Sequence, residues 1–68
     1  MKIILNLESI RLEQNKSQKE LSKLSGVSQS HISELESNLK SPTLSTIEKL
    51  MNALNVPLDE LLTVEKNS

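Results

Sequence analysis

The sequence predicts an all-α fold, a compact domain of five short helices spanning residues 1–68, with its core at about 6–63. Three observations predict it. Leu occurs 13 times and Ile 5 times, largely at spacings of three and four residues, the period of a helix with one apolar face. Gly occurs once and Pro twice, so a hairpin-rich β fold lacks its turn residues. Breakers at Asn15-Lys16, Gly26, Ser41-Pro42 and Asn55-Val56-Pro57 divide the 68 residues into segments of helical length.

The first helix carries Leu7 and Ile10 one turn apart, with Asn6 as the expected N-cap and Asn15-Lys16 as its end. Residues 1–5 (Met-Lys-Ile-Ile-Leu) either extend it or form a short strand. The second helix, about 17–25, opens on Ser17-Gln18-Lys19-Glu20. This is a capping box: the Ser17 hydroxyl takes the N3 amide and Glu20 reaches back to the Ser17 N–H. Leu21 and Leu24 give its apolar stripe, and Gly26 stops it because Gly enters the left-handed region without steric cost.

The third helix, about 28–37, starts from Ser28 as N-cap. Ile32, Leu35 and Leu39 mark its buried side. Gln29, Ser30, His31, Ser33, Glu34, Ser37 and Asn38 mark the other, which is polar and mostly uncharged. Ser41-Pro42-Thr43 begins the fourth helix, with Pro42 expected in the first turn, where a missing N–H costs nothing. Leu44, Ile47, Leu50, Met51 and Leu54 then hold a 3.6-residue period. The fifth helix is short, with Leu58, Leu61 and Leu62 apolar and Asp59 and Glu60 in the first turn, where the helix dipole favours acid. Val64–Ser68 are expected to fray.

Composition excludes several function classes. Cys is absent, so disulfides and thiolate zinc sites are excluded, and a reducing cytoplasm is the expected setting. The single His31 cannot form a metal cage alone, and no cofactor is expected. Phe, Trp and Tyr are absent, which removes the stacking platforms of single-strand-binding sheets and barrels. No apolar run reaches 18 residues, so no membrane span is expected, and Ile3–Leu5 is too short for a signal-peptide core. No paired nucleophile and base, phosphate-binding Gly loop or metal set is present, so no enzyme and no catalytic residue is expected.

The net charge of −1 argues mildly against nucleic acid, but its distribution does not. Residues 16–33 carry Lys16, Lys19 and Lys23 against Glu20, a net of +2. Residues 48–65 carry Lys49 against Glu48, Asp59, Glu60 and Glu65, a net of −3. Phosphate affinity follows the local face rather than the total.

Ser17–Leu35 reads as helix, a short turn with Gly, and helix, which is helix-turn-helix spacing. A small residue suits the helix crossing, Gly the turn, apolar residues the positions after it, and a polar exposed face the second helix. Ser22, Gly26, Val27, Ile32 and Leu35 fill these places.

At these residues the chain resembles the phage-repressor (Cro/CI-type, XRE-like) helix-turn-helix DNA-binding family, with a lambda-repressor-like fold. The matching run is Arg11…Ser17-Gln18-x-x-Leu21…Gly26-Val27-Ser28…Ile32-Ser33-x-x-Glu36…Pro42…Ile47-x-x-Leu50…Leu54-x-Val56…Leu61, over roughly residues 7–62 without a gap. Departures are Asn15 and Asn38 where Gly is common, Ser22 for Ala, Pro57 for an N-cap Ser, and Glu34 where relatives often carry Arg or Gln. Asn tolerates the left-handed conformation nearly as well as Gly, so only Glu34 bears on function.

The resemblance implies that the third helix enters the major groove of double-stranded DNA and that its first residues meet base edges. Expected base contacts are Ser28, Gln29, Ser30 and Glu34. Gln pairs bidentately with adenine N6 and N7, and Ser suits several bases. Glu34 accepts from cytosine N4, pairs with a Lys, or repels phosphate. Expected phosphate contacts are Ser17, Gln18, Lys19, His31, Asn38, Lys40 and Thr43, with Lys16 nearby. The resemblance further implies that Gln18 braces Gln29 and that Arg11 and Glu36 form a largely buried ion pair.

The function that follows is a sequence-specific transcriptional regulator, expected to be a repressor, binding a near-palindromic operator as a weak homodimer. Val56, Pro57, Leu58 and Leu62 form its expected seam, although Leu58, Leu61 and Leu62 also fit a simple core. With no ligand domain in 68 residues, control is expected to come from abundance, DNA occupancy or a regulatory protein partner. The alternative is a protein-interaction module, such as the antitoxin or immunity partner of a protein pair, using the helical bundle or the acidic C-terminal face.

Overall fold

A computed structural model describes residues 2–66. The order is β1 (Lys2–Leu5), α1 (Leu7–Glu13), α2 (Gln18–Ser25), α3 (Gln29–Glu36), α4 (Leu44–Leu54), α5 (Leu58–Leu61) and β2 (Leu62–Glu65). All five helices form. The fold is not strictly all-α, because the two ends of the chain pair as an antiparallel ribbon in the register Lys2↔Glu65, Ile3↔Val64, Ile4↔Thr63 and Leu5↔Leu62. Residues 2–5 thus form the strand rather than a helical extension. Residues 64 and 65 do not fray but belong to the partner strand; residues 1, 67 and 68 lie outside the described residues.

A two-stranded ribbon is marginal alone. Here it leans on the helices: Leu5 and Leu62, opposite each other, pack against the core, and the Asn6 N–H donates to Leu61 O at 2.8 Å, continuing the ladder. Asn6 occupies the N-cap position of α1 without capping it through its side chain. Its Nδ2 instead donates to Glu60 O at 3.0 Å and to Thr63 Oγ1 at 2.8 Å, fastening the start of α1 to the corner between α5 and β2.

Local sequence sets the helix limits. The Ser17 capping box is complete, with Oγ accepting from the Glu20 N–H and the Glu20 carboxylate accepting from the Ser17 N–H. Ser28 and Thr43 cap α3 and α4 by accepting from the amides of His31 and Thr46. Pro42 precedes the Thr43 cap, so it ends the loop rather than filling the first turn. Four left-handed residues close helices: Asn15, Gly26, Asn38 and Asn55, with φ of 57°, 79°, 60° and 55°. At Asn15 and Asn38 the ends are Schellman motifs: Lys16 N–H donates to Arg11 O and Leu39 N–H to Glu34 O.

The core gathers Leu7 and Ile10 of α1, Leu21 of α2, Val27, Ile32 and Leu35 of the turn and α3, Ile47, Leu50 and Leu54 of α4, and Leu61 of α5. Four residues of the predicted apolar faces, Leu24, Leu39, Leu44 and Leu58, are exposed instead. Leu39 is 75% exposed because α3 stops at Glu36 and Asn38 reverses the chain before the stripe reaches its third position. Leu44, at the first position of α4, is 85% exposed, and Leu24 is also exposed, near the end of α2. No helix among the described residues is long and apolar enough to cross a membrane.

Candidate DNA-binding surface

The two helices of the motif, α2 and α3, meet at a turn of three residues. Gly26 takes φ +79°, a conformation L side chains rarely adopt; a Cβ there would meet nothing within 4 Å, so the backbone angle alone requires Gly. Val27 is buried and anchors the turn to the core, and its N–H donates to Ser25 Oγ. Ser28 then caps α3. The apolar residues of α3, Ile32 and Leu35, point inward, which leaves Ser28, Gln29, Ser30 and Ser33 exposed and His31 and Glu34 half-buried.

Arg11 fixes this arrangement from behind. It is buried, and its guanidinium donates from Nε to Glu36 Oε2 at 2.7 Å, from Nη2 to Glu36 Oε1 at 3.1 Å and from Nη1 to Lys16 O at 2.8 Å. The bidentate geometry matches fork to fork. Hydrogen bonding to Glu36 raises the Arg11 pKa above its already high ordinary value, against the opposing effect of burial, so the guanidinium stays charged. α1, the loop after it and the last residue of α3 are thereby joined through one side chain.

No hydrogen bond joins the Gln18 and Gln29 side chains among the described residues. The Gln18 Nε2 donates to Glu36 Oε1 at 2.9 Å, adding the first residue of α2 to the same cluster. Sequence reasoning missed this bond because the approach of the start of α2 to the end of α3 is set by tertiary packing, which spacing along the chain does not give. It also missed Gln14, whose Nε2 donates to Leu54 O at 2.8 Å and satisfies a C-terminal carbonyl of α4. The Lys16 ammonium donates to Gln14 Oε1 at 2.5 Å, so Lys16 is half-buried.

On the exposed side, Lys40 Nζ lies 3.6 Å from Glu34 Oε1. Ser17, Lys19, Asn38, Lys40 and Thr43 are all exposed. Val56 and Leu62 are half-buried and pack against the core, whereas Pro57 and Leu58 are exposed. Among the described residues no group of three His, Asp or Glu side chains is placed to hold a metal ion.

Two capped helices joined by a left-handed Gly turn, with a buried ion pair behind a polar outer helix, define a helix-turn-helix protein. The helix-turn-helix family matches residues 7–61, and the chain belongs to the XRE-like helix-turn-helix DNA-binding family; it is a DNA-binding transcriptional regulator. Among solved structures it is similar to a point mutant of the restriction-modification controller protein C.Esp1396I. The identity is 31% and the TM-score 0.72, over 75% of this chain and 66% of that one. It is also similar to the wild-type form of that protein, at 29% identity and a TM-score of 0.73, over 81% of this chain and 71% of that one. The chain thus spans about two thirds of the length of these controllers. No curated protein matches it.

Proposed function

We propose that the protein is a cytoplasmic repressor that binds a near-palindromic operator as a homodimer and carries no catalytic step of its own. The observation that supports this best is the outer face of α3. It is polar, exposed at Ser28, Gln29 and Ser30, and backed by the buried Arg11–Glu36 pair. A face built this way offers hydrogen-bonding groups on a rigid support, which base reading requires. In the proposed complex α3 lies in the major groove and Gln29 pairs with adenine, with Ser28 and Ser30 beside it. Glu34 follows one turn further along the same face.

The exposed side chains at the starts of α2 and α4, Ser17, Lys19 and Thr43, face phosphate, with His31, Asn38 and Lys40 alongside. Two copies related by a two-fold place two such helices one helical turn apart, about 34–36 Å. The likeness to a restriction-modification controller protein makes control of such a system the first regulatory role to examine.

Selection of bound fragments from a random duplex pool tests the proposal. The expected result is an enriched inverted repeat with half-sites one turn apart. A pool with no enriched half-site overturns the operator-binding reading.

A further inference from the structure

We propose that Gln18 is a positioning residue: it sets the angle between α2 and the recognition helix through the Glu36 carboxylate and does so without touching DNA. This rests on the DNA-binding reading above and assigns Gln18 a role different from a phosphate contact.

The argument is geometric. The turn at residues 26–28 joins α2 and α3 at one end only. Their other ends, Gln18 at the start of α2 and Glu36 at the end of α3, are the points where the two helices are free to splay. The Gln18 Nε2 bond to Glu36 Oε1, at 2.9 Å, is the one side-chain hydrogen bond between the two helices among the described residues. It closes the open end of the motif. Glu36 is an effective anchor because its side chain is only 4% exposed and is held from the other side by Arg11. The Gln18 donor therefore works against a fixed acceptor, and a neutral donor to a buried carboxylate is a charge-assisted bond.

The cluster also separates this role from the fold. Without the Gln18 amide, Glu36 keeps both bonds from Arg11, so no charge is stranded. Only the hold on the α2 end is lost. Hydrogen bonds to base edges weaken steeply with misalignment, whereas attraction to phosphate depends mainly on charge and distance. A small rotation of α3 thus lowers operator affinity and leaves affinity for random duplex nearly unchanged.

The test is Gln18→Met, which keeps length and helix propensity but removes the donor. Residual dipolar couplings on the free protein report the α2–α3 angle, and the Arg11 Nε–H resonance reports the Glu36 carboxylate. Both are expected to shift while the urea midpoint moves little. Affinity for the selected operator is expected to fall about five- to tenfold, and affinity for random duplex to stay within about twofold. Unchanged couplings in the free variant overturn the positioning role, and so do equal losses on operator and random DNA, which mark a phosphate contact. Because the couplings are measured without DNA, they decide the point even where no operator is selected, the outcome that instead overturns the DNA-binding reading.

Discussion

Lys40 Nζ stands 3.6 Å from Glu34 Oε1 on the outer face of α3, so a carboxylate on the proposed DNA-reading face is partly neutralised by a cation from the same surface. Both side chains are substantially exposed, which limits the pair to about 0–1 kcal/mol. Its effect on binding is larger than its effect on folding, because a lysine engaged with Glu34 is less available to phosphate.

Glu34→Gln is therefore expected to tighten binding to random duplex by about two- to fivefold, and to steepen the salt dependence by about one phosphate contact as Lys40 is released. Titrations of random duplex at several salt concentrations check this. An unchanged salt slope sinks the idea. A loss confined to one operator base pair shows instead that Glu34 accepts from cytosine N4.

Gln29 occupies the first helical position of α3 and is exposed. Gln29→Ala is expected to weaken operator binding by about 1–3 kcal/mol and to relax preference at a single base pair. Repeating the pool selection with the variant gives the answer. Equal losses on operator and random DNA identify Gln29 as a phosphate neighbour.

Arg11→Ala removes three donors from buried or half-buried acceptors and leaves the Glu36 carboxylate with Gln18 alone. The expected cost is about 3–5 kcal/mol, the range for breaking a buried pair from one side. Lys19→Ala, on an exposed side chain, is expected to change stability by no more than about 0.5 kcal/mol. Urea midpoints that move alike for the two variants contradict this difference.

What the sequence reveals about this molecule divides along physical lines. Features fixed within one turn of chain are legible: the Ser17 capping box, the Gly26 turn and the left-handed Asn15 and Asn38 all follow from the chemistry of one to four neighbouring residues. Leu39 shows the limit of periodicity, which gives the face of a helix but not its end; Asn38 decides that end. The ribbon was only half legible: a strand within residues 1–5 was one of two readings, whereas its partner at residues 62–65 was not foreseen. Ile4 pairs with Thr63 across nearly the whole chain, no turn joins the strands, and each strand has four residues, too few for a pattern of alternation. At the candidate site, residue types and exposed positions were legible, whereas the partner of Gln18 was not, since it depends on how α2 and α3 cross, which spacing along the chain does not give.

The left-handed asparagines lead to a further expectation. Asn15, Asn38 and Asn55 each end a helix at φ near +57°, where an ordinary L residue costs roughly 1–2 kcal/mol and Asn or Gly less. Replacement by Ala at any of the three is expected to lower stability by about 1 kcal/mol, and replacement by Gly to leave it nearly unchanged or slightly higher. Thermal unfolding of the six variants measures this. An Ala variant as stable as its Gly counterpart contradicts the conformational argument at that position.

The last expectation concerns self-association. Ile3, Leu5, Leu62 and Val64 share one face of the ribbon by their register; Leu5 and Leu62 reach the core, while Ile3 and Val64 are 65% and 53% exposed. Leu62 lines two grooves, an open apolar one shared with Leu58 and Val64 and a deeper one shared with Ile3, Pro42 and Leu44, whose rim carries Asn38 and Lys40. The seam expected at Val56, Pro57, Leu58 and Leu62 is therefore extended by the ribbon, on a domain too small to cover this surface itself. Asp59, Glu60 and Glu65 are exposed beside it, and their mutual repulsion across a two-fold opposes pairing. The balance predicts a dimer with a dissociation constant of roughly micromolar or weaker. It is tightened by salt, which screens the carboxylates, and by operator DNA, which makes the second contact intramolecular. Val64→Asp, which adds a charge to the exposed end of the ribbon and touches none of the proposed DNA contacts, is expected to abolish the dimer and leave the monomer folded. Sedimentation over a concentration series, at two salt concentrations and with and without operator, decides it. A wild-type protein that stays monomeric at all concentrations and binds its site as one copy per duplex rules out the dimer while leaving the fold intact.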